Sequence, residues 1–383
     1  MLDFAFTPEQ EKLRETVREF AKKELAPKYS HWDKEEEFPK EQLLKMAKLG
    51  IIGMHLPAKY GGKEADCVSA GIVLEEVGRG DFSCGYPVTL SELVGSIIAN
   101  YGTEQQKEQW LPPMIRGEIT ITLALTEPHA GSDAAAISTT AVRDGDHYIL
   151  NGRKAAIDLC ISDAVVIWAK TDPSAGARGM SAFIVPGDTP GFARTPLRTM
   201  GSKGARLGNI VIDNVRIPAS NLLGEENKGF YMVMRSFDYS RVLMGLWCLG
   251  AAQAALEDAI SYAKARTAFG KPIGKFEGIS FTLVENATLI EAARLLCYKA
   301  LWLRDQNLPH TKEAAMCKWW APKLAADVIH HSMLVHGWRG YTDEVPQEQR
   351  LRDVIALETG DGSGEVMKMI IVREIMGRDY LPY

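Results

Sequence analysis

The hydrophobic periodicity of this 383-residue chain changes twice, and this order limits the folds that the chain can adopt. Residues 1–117 carry apolar side chains at helical spacing, residues 118–229 carry short runs of β type, and residues 230–383 return to long helical stripes. We therefore predict a mainly α-helical α+β protein. It has an N-terminal helical domain, a middle antiparallel β-barrel or sandwich, and a C-terminal four-helix bundle over these three ranges.

Local signals predict the ends of several elements. Thr7, Pro8 and Gln10 are typical of a capped helix start, and Pro27 ends that helix. Asp144-Gly145 and Asn151-Gly152 indicate two turns in the β region. The predicted strands are residues 120–125, 139–143, 148–150, 165–169, 182–185 and 209–212.

Composition argues against several classes of partner. A net charge of −5 without a Lys/Arg-rich block gives no electrostatic footprint for nucleic acid or an anionic membrane. No stretch approaches about 20 apolar residues, and the start, Met1 to Phe6, has acid where a signal peptide has base, so a cytoplasmic location is expected. The six scattered cysteines lack metal-ligand spacing, so neither a metal site nor a disulfide is expected.

Residues 125–133 read L-T-E-P-H-A-G-S-D and lead from a predicted strand into a polar turn. Backbone N–H groups and hydroxyls in such a turn can meet a ligand, although a plain turn would look the same. The segment closely resembles the T-E-P-x-A-G-S-D signature of the acyl-CoA dehydrogenase family. The chain has neither a Gly-x-Gly-x-x-Gly dinucleotide motif nor a P-loop, so a nucleotide cofactor would bind outside those folds.

A second match is R-T-A-F-G-K at residues 266–271, which is similar to the family's R-x-x-F-G-K. Taken alone, this segment would be a basic helix C-terminus capped by Gly270. Further family landmarks are Y-G-G at 60–62, F-D-Y-S-R at 237–241 and R-D at 352–353. The likeness therefore covers the whole chain.

The resemblance implies an enzyme that uses FAD to remove an α-proton and a β-hydride from a CoA thioester. It also implies transfer of electrons to an electron-transfer flavoprotein, and a homotetramer in which Arg266 reaches the FAD pyrophosphate across a subunit contact. Carried over residue by residue, the FAD contacts are Leu125, Thr126, Ser132, Ile157, Asp158, Arg266, Phe269, Phe276, Glu277, His336, Gly337 and Ser363. The implied substrate contacts are Ser132, Asp238, Arg241 and Gly362.

The family's base is usually Glu in a Y-E-G-T loop, and counting forward from residues 352–353 aligns that loop with Gly360-Asp361-Gly362-Ser363. Asp361 is therefore the candidate proton acceptor, with a carboxylate one methylene shorter. Its alternative role is an acid near the start of a helix that Ser363 caps.

Two other positions bear on the base. Some relatives carry their Glu immediately before the Arg of the helix that opens the C-terminal domain, and here that position is Ser240. Because Ser240 has no carboxylate, this alternative position for the base is not used here, which favours Asp361 as the proton acceptor. Glu92, in a helix that lines the acyl pocket in relatives, is an alternative acid or base, or else a structural acid.

Two segments depart from the family pattern. Where relatives have K-x-W-I-T, this chain has K-A-A-I-D at 154–158, which thins the flavin wall and puts Asp158 beside flavin N5. An ionised Asp158 would disfavour the reduced anionic flavin, a protonated one could donate a hydrogen bond, and the side chain could also turn away into a loop. The family's Q-x-x-G-G-x-G aligns with L-V-H-G-W-R-G at 334–340, and Glu277 replaces a common Gln.

Departures at the base occur in members that act on branched or cyclic thioesters, so an alicyclic substrate such as cyclohexane-1-carbonyl-CoA is our hypothesis. Three alternatives remain open. The enzyme could run in reverse as an enoyl-CoA reductase, or use oxygen as a flavin oxidase or monooxygenase of the same fold. It could also be an acyl-CoA-binding paralogue without turnover.

Overall fold

The computed structural model describes residues 5–382 of the chain. The prediction drawn from the acidic N-terminus rests partly on residues 1–4, which lie outside the described residues. In the part of the chain that the structure describes, no helix is long and apolar enough to cross a membrane.

The N-terminal region is helical, as predicted. The Thr7 hydroxyl accepts from the backbone N–H of Gln10, the Gln10 side chain accepts from the Thr7 N–H, and Pro8 occupies the first turn. The helix passes into a π-type turn at Ala21–Leu25 and ends before Pro27. The helices are α1 (Pro8–Phe20), α2 (Tyr29–Glu35), α3 (Lys40–Leu49), α4 (Cys67–Gly80), α5 (Gly85–Tyr101) and α6 (Glu104–Ile115).

The middle region is a β-sheet that contains all six predicted strands. Its strands are β1 (Ile121–Ala124), β2 (Thr140–Asp144), β3 (His147–Ile157), β4 (Ala164–Lys170), β5 (Met180–Pro186), β6 (Phe192–Pro196), β7 (Gly208–Pro218) and β8 (Leu222–Leu223). The hydrogen-bonded order is β6-β7-β3-β2-β4-β5-β8, and β1 also pairs with β4.

The predicted antiparallel barrel is not confirmed, because the sheet is mixed and open. Strand β1 runs parallel to β4, and β2 meets β4 in parallel through Thr140 and Lys170. The chain between β1 and β4 is long enough to hold the β2–β3 hairpin, and such a crossover allows a parallel pairing. Among the described residues, β6 and β8 end the strand path without pairing to each other.

Of the two predicted turns in this region, one is present and one is not. Gly145, with φ of 62°, lies in the turn that joins β2 to β3. Asn151-Gly152 is instead part of β3, where the register to β7 shifts between Leu150 and Gly152. A Cβ at Gly152 would approach the Thr139 hydroxyl to 2.3 Å, so this glycine permits close backbone approach at a bulge.

The C-terminal region is helical and surrounds one long central helix. The elements are α7 (Gly229–Ala265), a small hairpin of β9 (Thr267–Ala268) and β10 (Lys271–Pro272), α8 (Glu277–Asp305), α9 (Thr311–His336), α10 (Gln347–Thr359) and α11 (Gly364–Met376). Helix α7 contacts α4, α5, α8, α9 and α10, and α11 packs against α9. The interpretation of Gly270 as a helix cap was wrong, because α7 ends at Ala265 and Gly270 forms the turn of the hairpin with φ of 75°.

Two apolar cores determine how these regions meet. One core joins α4, α5, α7, α8 and α9 to β1 and β4, and the other fills the space within the sheet. Trp168 of β4 belongs to the first core, and its indole N–H donates to the carbonyl of Gly229 at the start of α7 (2.8 Å). The sheet therefore packs against α7 and is hydrogen-bonded to its first residue, and a cleft remains between the sheet and the helices.

Candidate active site

An open cleft of about 540 Å³ lies where the sheet meets α5, α7 and the loop between α10 and α11. It contains Asp361 together with four of the residues that the resemblance implies at FAD, Leu125, Thr126, Ile157 and Asp158. The other lining residues are Tyr86, Thr89, Leu90, Leu93, Thr122, Leu123, Ala156, Met244, Trp247 and Leu357. The lining is mostly apolar with a few polar groups, as is typical of a small-molecule site.

Asp361 is presented to this cleft by an unusual backbone turn. Its φ is 52°, in the left-handed region that Asp tolerates better than most residues. Gly362 follows with φ of 106°, and a Cβ there would approach the Met367 methyl group to 2.6 Å. Ser363 caps α11 by accepting from the N–H of Val366 (3.4 Å). The predicted helix cap is therefore present, and Asp361 lines the cleft as well.

The charge of Asp361 is controlled by burial and by two cations. Burial raises the pKa of the Asp361 carboxyl, while the charges of Lys318 and Arg241 lower it, and the net direction is upward. Arg241 is itself buried and pairs with Asp238 (3.0 Å), whose other oxygen accepts from the hydroxyl of Thr311. Arg241 and its partner Asp238 therefore lie beside the loop that carries Asp361.

Asp158 lies in the turn that follows β3 and lines the same cleft. Burial, and then the charge of Asp361, raise its pKa to about 8. A negative charge on Asp361 opposes the ionisation of Asp158, in the same direction as burial. At neutral pH, Asp158 therefore carries a proton and can donate a hydrogen bond.

The raised pKa of Asp158 predicts a pH-dependent cost in stability. Because the folded chain holds this proton up to about pH 8 and the unfolded chain releases it near pH 3.8, the free energy of unfolding falls as pH rises through that window. Asp158→Asn does not titrate. We expect the stability of this variant relative to wild type to rise by about 5 kcal/mol between pH 4 and about pH 8.5, since a pKa difference of one unit corresponds to about 1.4 kcal/mol.

Urea denaturation at several pH values measures this difference. Asp188→Asn, at an exposed position of the same domain, is the matched control and should show no such pH-dependent gain. An equal effect of the two substitutions would contradict the protonated state of Asp158.

A buried ion pair holds the loop that follows β1. Nζ of Lys154 donates to a carboxylate oxygen of Glu127 (2.9 Å) and to the carbonyl of Leu125 (3.0 Å), and the two side chains are 0% and 1% exposed. Glu127 also accepts from the N–H groups of Ser138 and Thr139. The pair therefore ties both ends of the loop to β3.

Both members of this pair are charged at neutral pH. Burial favours a higher pKa for Glu127, but the Lys154 charge and the hydrogen bonds from Thr139 and Ser138 outweigh it and lower the pKa to about 2. Burial lowers the pKa of Lys154 to about 8, against the raising effect of Glu127. Ser132, at the far end of the loop, is exposed and available to a ligand.

Glu92 does not line the cleft. It is fully buried in α5, where one carboxylate oxygen accepts from the hydroxyl of Tyr239 (3.0 Å) and the N–H of His55 (3.3 Å). Burial raises the pKa of Glu92. These contacts give it the position of a structural acid behind the cleft wall.

Apart from Ser132 and Ser363, the remaining residues implied at FAD form a second cluster, away from the cleft, around the end of α7 and the β9–β10 hairpin. Phe269 is 95% exposed at φ of 49°, and its ring contacts Phe276 edge-on at 6.0 Å. His336 is buried, stacks on Tyr262 at 4.6 Å, and donates through Nδ1 to the carbonyl of Ser332. Arg266 and Glu277 are exposed, and Gly337 follows α9 at φ of 61°. Within one protomer, these side chains do not reach Asp361.

Sequence reasoning missed several residues of the cleft. Lys318 is 1% exposed, and its ammonium donates to the carbonyl of Gly362, next to Asp361. A lysine within the apolar stripe of a predicted buried helix is a signal that could have identified it. Trp247 is stacked on Phe82 at 4.2 Å and forms part of the cleft wall with Tyr86, but nothing in a helical stripe distinguishes a wall residue from an ordinary core residue.

The polar groups of the cleft fit a bound flavin. The hydroxyl of Thr89 is buried without a hydrogen-bond partner among the described residues, the half-buried Thr126 also lines the cleft, and Ala156 leaves the wall beside Asp158 open. Buried polar groups without partners cost free energy, so a ligand with hydrogen-bonding groups is favoured there. A flat ring system with polar edges, such as isoalloxazine, meets both the apolar and the polar parts of this lining.

Comparison with known proteins agrees with this geometry. Family models match the N-terminal, middle and C-terminal domains of acyl-CoA dehydrogenases at residues 7–118, 122–215 and 227–376. The probable acyl-CoA dehydrogenase YngJ of Bacillus subtilis is 39% identical, over 98% of this chain and 100% of its own length. CarC of Acetobacterium woodii, a subunit of the caffeyl-CoA reductase-Etf complex, is 40% identical, over 96% of this chain and 98% of its own.

A solved structure gives the same answer for the fold. Butyryl-CoA dehydrogenase from Megasphaera elsdenii superposes with a TM-score of 0.94 and 35% identity, covering 98% of this chain and 100% of that one. Three matched domains and relatives of this identity across nearly the whole length establish common descent. The chain therefore belongs to the acyl-CoA dehydrogenase family of FAD-dependent oxidoreductases acting on acyl-CoA.

Proposed function

We propose that this enzyme removes hydrogen from the α- and β-carbons of an acyl-CoA thioester, with Asp361 as the acceptor of the α-proton. The carboxyl of Asp361 carries the proposal: it lines the cleft, the charges of two buried cations, Lys318 and Arg241, act on it, and it has no hydrogen-bond partner among the described residues. A base must lie within hydrogen-bond reach of the proton it abstracts and must be ionised when substrate arrives. Lys318 and Arg241 favour that ionised state.

Residues on the sheet side of the cleft would hold the cofactor. Leu125, Thr126, Ile157 and Asp158 would contact the flavin, with Ser132 at the exposed loop beyond them. When bound, FAD supplies the acceptor for the β-hydride. Asp158, which keeps its proton at neutral pH, would act there as a hydrogen-bond donor.

Residues on the helix side would hold the substrate. Leu90 and Leu93 of α5, with Met244 and Trp247 of α7, offer an apolar wall for the acyl group. They would exclude water, which strengthens the interactions of Asp361 with its neighbours. The backbone at Gly362 and the buried Arg241–Asp238 pair would contact the thioester end.

The reverse reaction is the second candidate, and one observation favours it. The net upward shift in the pKa of Asp361 helps this residue to hold a proton, which it must deliver to the α-carbon when an enoyl-CoA is reduced. The relative from Acetobacterium woodii is a caffeyl-CoA reductase subunit in a complex with an Etf. An electron-transfer flavoprotein is accordingly the redox partner we propose for either direction.

We also propose that the second cluster contributes to FAD binding in a homotetramer, with Arg266 reaching the pyrophosphate of a neighbouring subunit. Phe269, Trp338 and Tyr341 are strongly exposed near this cluster, and exposed aromatic side chains favour burial in an assembly. Sedimentation of wild type and of Phe269→Ser tests this. A monomeric wild-type protein that retains FAD would contradict it.

Anaerobic spectroscopy tests the proposed reaction. The purified yellow protein is mixed with a panel of straight-chain, branched and alicyclic acyl-CoAs, including cyclohexane-1-carbonyl-CoA, and flavin absorbance is followed. We expect bleaching by at least one saturated thioester and reoxidation by the matching enoyl-CoA. Tight binding without bleaching would indicate a non-catalytic binding protein, and rapid peroxide formation in air would indicate an oxidase.

A further inference from the structure

A buried lysine connects the two ends of the segment that carries Asp361. Nζ of Lys318, in α9, donates to the carbonyl of Leu357 in the last turn of α10 (2.6 Å) and to the carbonyl of Gly362 (3.1 Å). These carbonyls lie on either side of Asp361 in the chain. Two of the three N–H groups of the ammonium thus bind main-chain carbonyls, one in α10 and one in the loop that follows it.

This loop has few other restraints on its shape. Asp361 lies between Gly360 and Gly362, which have no side chains to pack, and its own φ is positive. The backbone hydrogen bond before the loop runs from Gly360 to Ala356 (2.9 Å), and the one after it runs from Met367 to Ser363 (3.0 Å). Between them, the Lys318 ammonium bridges the turn from the carbonyl of Leu357 to that of Gly362.

The ammonium has two further physical effects. A cation at the C-terminus of α10 stabilises carbonyl groups that the helix leaves without partners. The same charge also favours the carboxylate form of Asp361. The charged or titratable groups that face this pair are Arg241 and Cys248 of α7, Glu358 of α10, and Asp158 in the turn after β3.

Resting on the proposed function of Asp361, we propose that Lys318 is a positioning residue. It holds the α10–α11 loop so that the carboxylate is directed into the cleft, and its charge keeps that carboxylate ready to accept a proton. Lys318 itself does not touch the substrate. It acts through the two carbonyls and through its electrostatic field.

Lys318→Met tests both parts of the proposal, since it preserves the length of the side chain and removes the charge and both hydrogen bonds. We expect a kcat about 100-fold lower, because a base displaced by about 1 Å loses roughly that factor. Without the cation, the pKa of Asp361 should rise. The limb of the pH profile on which activity increases should therefore move to higher pH by about one unit or more.

A readout that does not depend on turnover accompanies the kinetics. Hydrogen–deuterium exchange of the holoenzyme should become faster in peptides that cover residues 358–364, and elsewhere remain as in wild type. Lys323→Met, on the same helix at a side chain that is 58% exposed, is the matched control and should change neither readout. Lys318→Arg, which keeps the charge, should restore the pH profile more than the rate.

The outcomes separate this proposal from the proposed function. If wild type shows no acyl-CoA-dependent bleaching, the proposed function fails, and exchange in the loop still tests whether Lys318 holds it. If wild type is active but Lys318→Met keeps both the wild-type pH profile and the wild-type exchange, the role of Lys318 is overturned. Should Lys318→Met not fold, Lys318→Gln, which retains a donor, undergoes the same measurements with the same expected directions.

Discussion

Asp361→Asn should reduce the rate of anaerobic flavin bleaching by acyl-CoA on the order of 10³-fold, because positioned acid–base groups contribute about 10² to 10⁴ to catalysis. Asn has nearly the same shape as Asp and also tolerates a positive φ, so the loop should keep its conformation. Binding of acyl-CoA should therefore persist. Stopped-flow absorbance measures the rate, and equilibrium dialysis measures binding.

Two further variants test whether Asp361, and not Glu92, is the proton acceptor. Asp361→Glu restores the usual family carboxylate and should retain measurable bleaching, since the added methylene changes reach but not chemistry. Glu92→Gln should bleach at close to the wild-type rate, because Glu92 lies behind the cleft wall with Tyr239 and His55. Full activity in Asp361→Asn combined with loss in Glu92→Gln would move the base to Glu92.

Lys154→Met should lower the free energy of unfolding by about 3 to 5 kcal/mol, because it leaves the carboxylate of Glu127 buried without its charge partner. It should also loosen residues 125–139 and reduce the amount of FAD that is retained on purification. Urea denaturation measures the first effect. The ratio of flavin to protein absorbance measures the second.

The controls for this prediction come from neighbouring positions. Arg153→Met changes an exposed cation on the same strand and should alter neither quantity. Adding Glu127→Gln to Lys154→Met removes the unpaired charge and should recover part of the lost stability, so the two substitutions should be non-additive. A Lys154→Met protein that unfolds like wild type would show that the pair does not hold the loop.

Local signals in the sequence were sufficient to predict many of the helices, strands and turns. The cap formed by Thr7 and Gln10 depends on neighbouring residues only, and so does the turn at Gly145. The parallel pairing of β1 with β4 was not predictable in the same way, because it depends on contacts between distant strands. The turn predicted at Asn151-Gly152 was wrong because it was based on neighbouring residues alone. Gly152 is required instead by the close approach of Thr139, which is remote in sequence.

At the candidate site, too, some residues could be predicted from the sequence and others could not. Asp361 was identified by counting along a family pattern, and the structure adds that its carboxyl lies in a cleft with Asp158. The sequence marks Lys318 only as a lysine within an apolar helical stripe; its contacts with the carbonyls of Leu357 and Gly362 could not be predicted, because main-chain groups leave no trace in residue types. The separation of Phe269 from the cleft also required three-dimensional coordinates.

Product analysis after a single anaerobic turnover is the most direct test of the proposed reaction. Wild-type holoenzyme is mixed with the acyl-CoA that bleaches it best, and the thioester is recovered and examined by mass spectrometry and NMR. We expect one equivalent of the 2,3-enoyl-CoA for each flavin reduced, with two hydrogens lost, and almost none from Asp361→Asn. Recovery of only unchanged acyl-CoA from the flavin-loaded wild-type enzyme, across the whole panel, would contradict the proposed α,β-dehydrogenation.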